Sequence, residues 1–346
     1  MQLVFLFIRI RIQMSVILAI ESSCDETSAA IINDGKLLTN IVATQKVHEQ
    51  YGGVVPELAS RAHQQNIIPV VHQALSKANI KKSDLNAVAF TRGPGLLGAL
   101  IVGTSFAKSF AMGLDIPLIE VNHMQAHILA HLIDDPKPDF PFLCLTVSGG
   151  HTQLVVVKNH LEMEVIGQTK DDAVGEAFDK TAKIIGLPYP GGPLIDKHAS
   201  KGNSKAFDFP IVTSDAYDYS FSGIKTSILY FLRDNLKQNG NFIEENIDDI
   251  CASVQYTLVE ILMVKLKKAA FELGIRDIAI AGGVAANSGL RNRLLELSQK
   301  HHWNVFIPKF EYCTDNAAMI AMAAHYKFEK KEFVGYDISP DPRMKI

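Results

Sequence analysis

The chain has 346 residues, 47% hydrophobic and 21% charged, with 23 glycines and 14 prolines; this exceeds what one hydrophobic core usually supports, so two lobes are expected and a disordered chain is excluded. A formal net charge of −3 gives no global attraction to a polyanion, so contact with nucleic acid must use a local basic patch or a partner. Cys24, Cys144, Cys251 and Cys313 are far apart; they form neither a C-x-x-C zinc pattern nor a small disulfide framework, which fits a reducing cytoplasm.

Residues 1–13, MQLVFLFIRIRIQ, place Arg9 and Arg11 after a short apolar run, the reverse of a secretory signal, and are too short to span a bilayer. They read as an extension or a mis-set start before Met14, with an added edge strand or a targeting remnant as the alternative. No membrane association is expected.

From Val16 to Ile20 the chain reads as a buried strand, followed by the turn ESSCDETS and a second strand from Ala29 to Ile32. Pro56 to Leu75 is an amphipathic helix, Leu85 to Thr91 a strand ending at Gly93-Pro94-Gly95, and Leu97 to Met112 a helix rich in small residues. Ile116 to Val121 is another strand, after which Asn122 is placed to cap a helix reaching about Leu132. Pro136, Pro138 and Pro141 then predict a hinge.

Beyond the hinge the strand-turn-strand pattern returns at Leu143–Val147, SGGHT and Leu154–Val157. Two such hairpins suit duplicated lobes facing one cleft, although unrelated α/β proteins contain them as well. Helical patterns follow around Ile224–Leu236 and Ile247–Leu273, then a strand at Ile278–Ala281, a Gly282-Gly283 turn and a helix from Asn287 to Ser298. A last helix, from about Asn316 to Phe328, is expected to return to the first lobe. The expected division is 14–135 for the N-terminal lobe, with 316–346 packed back on it, and 136–315 for the C-terminal lobe. No eightfold strand-helix alternation is present, which argues against a barrel.

His123 and His127 stand four apart on a predicted helix, so both imidazoles project from one face, close enough to share a divalent ion. The same spacing, continued by His131, is also that of a helix with polar histidines at a lobe interface. Zincin proteases place Glu directly after the first His; here that position is Met124. Asp315 in CTDNAAM, just before a helix, is the candidate third ligand or, alternatively, an N-cap. Glycines in Ser148-Gly149-Gly150-His151-Thr152 would let backbone amides approach a phosphate, although a tight hairpin needs the same residues. Gly282-Gly283-Val284-Ala285-Ala286-Asn287 joins strand, turn and helix start in a way that suits a nucleotide, but it lacks both G-x-G-x-x-G and a P-loop. Read in isolation, Asp179 is a solvated helix residue and Asp196 a surface charge. No Cys-His or Ser-His pairing identifies a general base.

Together, ESSCDETS, YGGVVPELASR, TRGPGLLGALIVG, NHMQAH, VSGGHTQL, DDAVGEAFDKTAK, YPGGP, FSGIKT, GGVAAN and CTDNAAMIA closely resemble the TsaD family of tRNA threonylcarbamoyladenosine synthesis. The likeness runs in order from about Met14 to His325. It implies an α/β fold of two ribonuclease-H-like lobes around a cleft, as in actin, sugar-kinase and Hsp70 ATPases. It also implies transfer of a threonylcarbamoyl group from threonylcarbamoyl-AMP to the N6 amine of adenosine 37 in tRNAs that read codons beginning with adenosine, with AMP released.

By matching motif, the resemblance makes His123, His127 and Asp315 ligands of one divalent metal per subunit, usually iron(II), with zinc as the alternative. It assigns adenylate binding to Thr146, Val147, Ser148, Gly149 and Gly150, with Asp179, Gly192, Asp196 and Asn287. His131 matches no family ligand; Gln125 stands where many members have Glu, and Asn122 where some have another His. Bacterial members imply a TsaB-type paralogue, docked on the first lobe's helices, and a TsaE-type ATPase as partners, with tRNA as substrate. The rivals are a metalloprotease, opposed by Met124, and a kinase or ATPase of the same fold, which would build a magnesium site from acids such as Asp25 and Glu26. A third rival is a scaffold subunit, which would be expected to lose its metal ligands.

Overall fold

A computed structural model describes residues 15–211 and 216–346; the expectation for residues 1–13 lies outside them. Strand β1 (Val16–Glu21) is buried along its whole length, as a central strand covered on both faces must be. It pairs antiparallel with β2 (Thr27–Asn33), which pairs antiparallel with β3 (Lys36–Ala43). Helix α1 (Pro56–Ala78) starts on a proline at its first turn and stops where Asn79 turns left-handed. Then β4 (Ala87–Gly93) joins β1 in parallel, α2 (Leu97–Leu114) crosses over, and β5 (Leu118–Asn122) lies parallel to β4. Helix α3 (His123–Leu129) follows without a loop and tightens into a 3-10 turn, Ala130–Leu132.

The second half opens with the antiparallel strands β6 (Phe142–Val147), β7 (Thr152–Val157) and β8 (Met163–Gln168). Helices α4 (Val174–Ile184), α5 (Gly191–Ala199), α6 (Ser222–Leu236) and α7 (Phe242–Leu273) lead to β9 (Asp277–Ala281), which runs parallel to β6. A 3-10 turn at Gly283–Ala286, α8 (Ser288–His301), β10 (Asn304–Phe306) and the short α9 (Phe310–Cys313) precede α10 (Ala317–Glu329).

Strand order is β3-β2-β1-β4-β5 in one sheet and β10-β9-β6-β7-β8 in the other. Each is a three-stranded antiparallel hairpin whose first strand carries two parallel strands, so the halves repeat one topology and the paired hairpins expected from the sequence are real. The expected strands omitted β3, β8 and β10, which lie at sheet edges and are partly exposed.

Period-two alternation assigns the faces of the first sheet. Val16, Leu18 and Ile20 pack towards Ile67 and Val71 of α1 and Ala107 of α2. Ile17, Ala19, Ala30 and Ile32 pack against the apolar stretch Ala317–Ala324 of α10, which has returned to the first sheet as expected. Ile128 of α3 sits among Phe142, Cys144, Val155 and Ala279 of the second sheet. Burying such a side chain is worth about 1.5–3 kcal/mol, and this one fixes α3 between the sheets. Among the described residues, α2 alone is long and apolar enough to cross a membrane by length and composition; it packs on α1 and β4.

Candidate functional site

The Asn122 side chain accepts the amides of Met124 and Gln125 at 2.9 and 3.1 Å, fixing the start of α3 immediately after β5. His123 and His127 then lie one turn apart with ring centroids 4.7 Å from each other. Asp315 Oδ1 is 3.3 Å from His123 Nε2 and 3.2 Å from His127 Nε2. Two ligands bonded to one ion at about 2.0–2.1 Å are separated by roughly 3.0–3.4 Å, so these atoms could share a metal, and the three residues form a group able to hold one. Met124, next to His123, carries no acid or base, so the glutamate of a zincin protease is missing from the site.

Asp315 is available because its neighbour caps the helix. Asn316 Oδ1 accepts the Met319 amide at 3.1 Å, while Ser28 Oγ and Asn40 Oδ1 accept those of Ala317 and Ala318. The two roles open to Asp315 in the sequence thus resolve in favour of the cleft.

Behind the histidines stands a residue that the motif reading missed. Glu21, fully buried at the end of β1, places Oε2 3.0 Å from His123 Nδ1 and also accepts from Thr91 Oγ1 at 2.6 Å and from the Ser23 amide at 2.5 Å. A carboxylate on the far nitrogen of a ligating histidine fixes the tautomer and leaves Nε2 free for an ion. Its only signal in the sequence was an acid closing an apolar strand. Ser23 Oγ also lies 3.1 Å from His123 Nδ1, but that nitrogen's proton is directed at Glu21, so the contact does not make a nucleophile.

Burial disfavours a charged His123, yet Asp315 and Glu21 outweigh it and hold the imidazole well above its ordinary pKa. At His127 burial prevails, aided by the His123 charge, and the pKa falls. Burial, then the nearby Asp315 and Asp25 carboxylates, push Glu26 up to about 9. A cation among these acids would relieve their repulsion, so the donor set and the surrounding field both fit a divalent metal.

The cleft measures about 550 Å³ and is lined from the first half by Ser23–Glu26, Pro94–Leu96 and His123, with Thr314 and Asp315. From the second half come Ser148–His151, Tyr189, Pro190, Pro193 and Gly283. Gly149 and Gly150 are exposed, neither has a positive φ, and a Cβ added at either would meet nothing within 4 Å. The turn itself therefore does not require glycine, whereas close approach of a ligand would. Thr146 and Val147 are fully buried in β6 behind that turn.

Asp179, Gly192, Asp196 and Asn287 are not among the residues lining this cavity; Gly192 stands between the lining residues Pro190 and Pro193, and each of the four lies at, or bonds to, the start of a helix. Asp179 Oδ1 accepts the amides of Gly191 and Gly192 at 2.8 and 3.2 Å, at the start of α5. Burial raises the Asp179 pKa despite these bonds. Asp196 accepts the amide and hydroxyl of Ser288 at the start of α8. Asn287 caps α8 through the Leu290 amide and donates to Gln255 Oε1 at 2.7 Å. Asp179 is partly buried rather than solvated, while Asp196 stays near the surface and there caps α8.

A family model described as TsaD, tRNA N6-adenosine threonylcarbamoyltransferase, matches residues 36–322. The chain belongs to the TsaD family. A TsaD protein of that description from Cytophaga hutchinsonii is 65% identical over 330 residues, covering 95% of this chain and 96% of the relative. One from Phocaeicola vulgatus is 59% identical, covering 96% and 99%, and one from Thermosipho africanus is 47% identical, covering 96% and 100%. The family is one of transferases, and tRNA is the substrate its name implies.

Among solved structures, full-length HypF in a phosphate- and nucleotide-bound form aligns with a TM-score of 0.60 at 15% identity, over 92% of this chain and 46% of that one. Component A of (R)-2-hydroxyglutaryl-CoA dehydratase from Acidaminococcus fermentans aligns at 0.52 and 15%, over 92% and 99%. At such identities the likeness concerns the fold, and it bears out the ATPase-like two-lobed α/β architecture that the TsaD motifs imply.

Proposed function

We propose that the chain transfers a threonylcarbamoyl group from threonylcarbamoyl-AMP to the N6 amine of adenosine 37 in tRNAs reading codons that begin with adenosine, releasing AMP. The observation that carries this reading is the meeting, in one cleft, of a two-histidine, one-carboxylate donor set and a glycine turn with open space around it. That donor set accommodates iron(II) or zinc, and iron(II) is the metal proposed. When bound, the metal supplies Lewis-acid polarisation of an acyl or carboxylate oxygen.

The remaining work falls to the protein. His123, His127 and Asp315 hold the ion, with Glu21 orienting His123. The amides of Gly149 and Gly150 face the adenylate phosphate and favour its departure as an anion, while Ser148, whose own amide donates to the His151 carbonyl at 2.8 Å, shapes the turn that presents them. Thr146 and Val147 support that turn from the sheet, and Asp179, Gly192, Asp196 and Asn287 fix the helix starts beside which the nucleoside end is held. The exocyclic amine of adenine is a poor nucleophile, so holding the tRNA base against the acyl carbon supplies much of the rate.

The N-terminal lobe is proposed to span residues 14–135 with 316–346, and the C-terminal lobe 136–315, with the proline-rich segment as hinge. A TsaB-type paralogue is assigned to the face of α1 and α2, where Ile68, Leu97, Ile101 and Met112 are exposed; exposed apolar residues clustered on two packed helices suit a protein partner. A TsaE-type ATPase completes the set, and the reaction is cytoplasmic.

The test is incubation of the purified chain with threonylcarbamoyl-AMP, both partner proteins and unmodified tRNA, followed by mass analysis of the nucleosides. A mass increase on adenosine, lost in His123→Ala, is expected. No increase with the wild-type chain overturns the reading.

A further inference from the structure

After α10 the chain does not trail into solvent. Val334 donates to the Leu118 carbonyl at 2.9 Å on the edge of the first sheet. The Ile338 carbonyl accepts from Lys108, the Ser339 carbonyl from Arg92 Nε at 3.1 Å, and the Asp341 amide donates to the Arg92 carbonyl at 2.9 Å. Gly93 lies so close beneath that an added Cβ would stand 1.8 Å from the Asp341 carbonyl oxygen. Pro342 accepts from the Gly95 amide, and Ile346 reaches the Phe142–Val155 cluster of the second sheet. Segments after a last helix usually fray unless tied down; this one is tied from one sheet to the other.

A further bond joins it to the start of α3. The Lys345 carbonyl accepts from Asn122 Nδ2 at 2.9 Å, while Asn122 Oδ1 caps the helix that carries His123 and His127. One carboxamide thus grips the tail with one end and the metal-bearing helix with the other. We propose that residues 334–346 form a strap that, through Asn122, holds α3 in place; Asn122 is a positioning residue, and its effect on the ion rests on the metal-site reading above.

The proposal is tested on the full chain with two perturbations. Asn122→Ser keeps an oxygen for the cap but loses the donor to Lys345, and a stop codon after Asp341 removes the acceptor while leaving Asn122. Amide hydrogen exchange over residues 123–129 is read in the metal-free protein, and loss of bound cobalt(II) to a chelator in the loaded one. Each change is expected to speed exchange over 123–129 and to hasten cobalt loss about tenfold, with little further effect when they are combined. Arg343→Ala, on the same strap but with an exposed side chain, is expected to match the wild type. Unchanged exchange in Asn122→Ser, or effects that add in the double variant, overturns the strap. Failure of the wild-type chain to bind cobalt overturns the metal reading, while the exchange data still decide the strap.

Discussion

Asn316 and Asp315 divide between them two tasks that either could attempt. Asn316 accepts the Met319 amide and donates to the Thr314 carbonyl at 2.8 Å, which closes the turn and aims Asp315 at His123 and His127. Removing the cap with Asn316→Ala is expected to cost about 1 kcal/mol of stability and to loosen Asp315 as well. Asp315→Asn leaves the cap in place and is expected to fold with a near-wild-type melting temperature but to retain no metal. Thermal melts and elemental analysis separate the two, and full metal content in Asp315→Asn would refute its role as ligand.

Glu21 holds His123 through Nδ1 and would act on a bound ion through it. Glu21→Gln preserves shape and is expected to lower metal affinity about ten- to a hundredfold without abolishing it, the usual cost of disturbing a ligand's outer partner. Calorimetric titration with cobalt(II) checks this, and an unchanged affinity would confine Glu21 to a packing role.

His131 is a pH-dependent element of stability away from the cleft. Burial pushes its pKa down to about 4, while Nε2 donates to the Ile280 carbonyl at 2.9 Å and so joins the first half to β9. The unfolded chain takes up this proton near pH 6.5 and the folded chain only near pH 4. The contribution is therefore complete above pH 6.5 and is lost as pH falls towards 4, amounting to about 3 kcal/mol. Urea melts across this window should show a shallower pH dependence in His131→Gln, and an identical slope in both proteins would contradict the assignment.

Two glycines, Gly282 beside the cleft and Gly149 lining it, should respond in opposite ways. Gly282 has φ 90°, and an added Cβ would stand 2.5 Å from the Val147 carbonyl oxygen, so Gly282→Ala is expected to cost about 2–4 kcal/mol. Gly149→Ala meets no protein atom within 4 Å and is expected to change stability by less than about 0.5 kcal/mol while weakening adenylate binding. Denaturant midpoints and titration with a non-hydrolysable adenylate analogue distinguish structural from ligand-facing glycine.

Legibility in the sequence followed burial. Central strands such as Val16–Glu21 and Phe142–Val147 are mostly apolar and buried throughout, and were plain. The edge strands Lys36–Ala43 and Met163–Gln168 are half covered and carry no clean alternation, so they were not. His123 and His127 were visible because a helix places residues four apart on one face. Glu21 was not, since its partner lies 102 positions away. Asp196 meets Ser288 across 92 residues, so only the folded chain turns an apparent surface charge into a cap.

The return of α10 has a consequence for synthesis on the ribosome. Ile17, Ala19, Ala30 and Ile32 are covered by a helix made near the end of the chain, and Asp315 emerges 188 residues after His127. While the second half is translated, the first sheet carries a bare apolar face, the kind of surface that promotes aggregation and draws chaperones. A metal held by His123, His127 and Asp315 would find its full ligand set only after that helix has docked, so loading would belong to the finished polypeptide rather than to the nascent one.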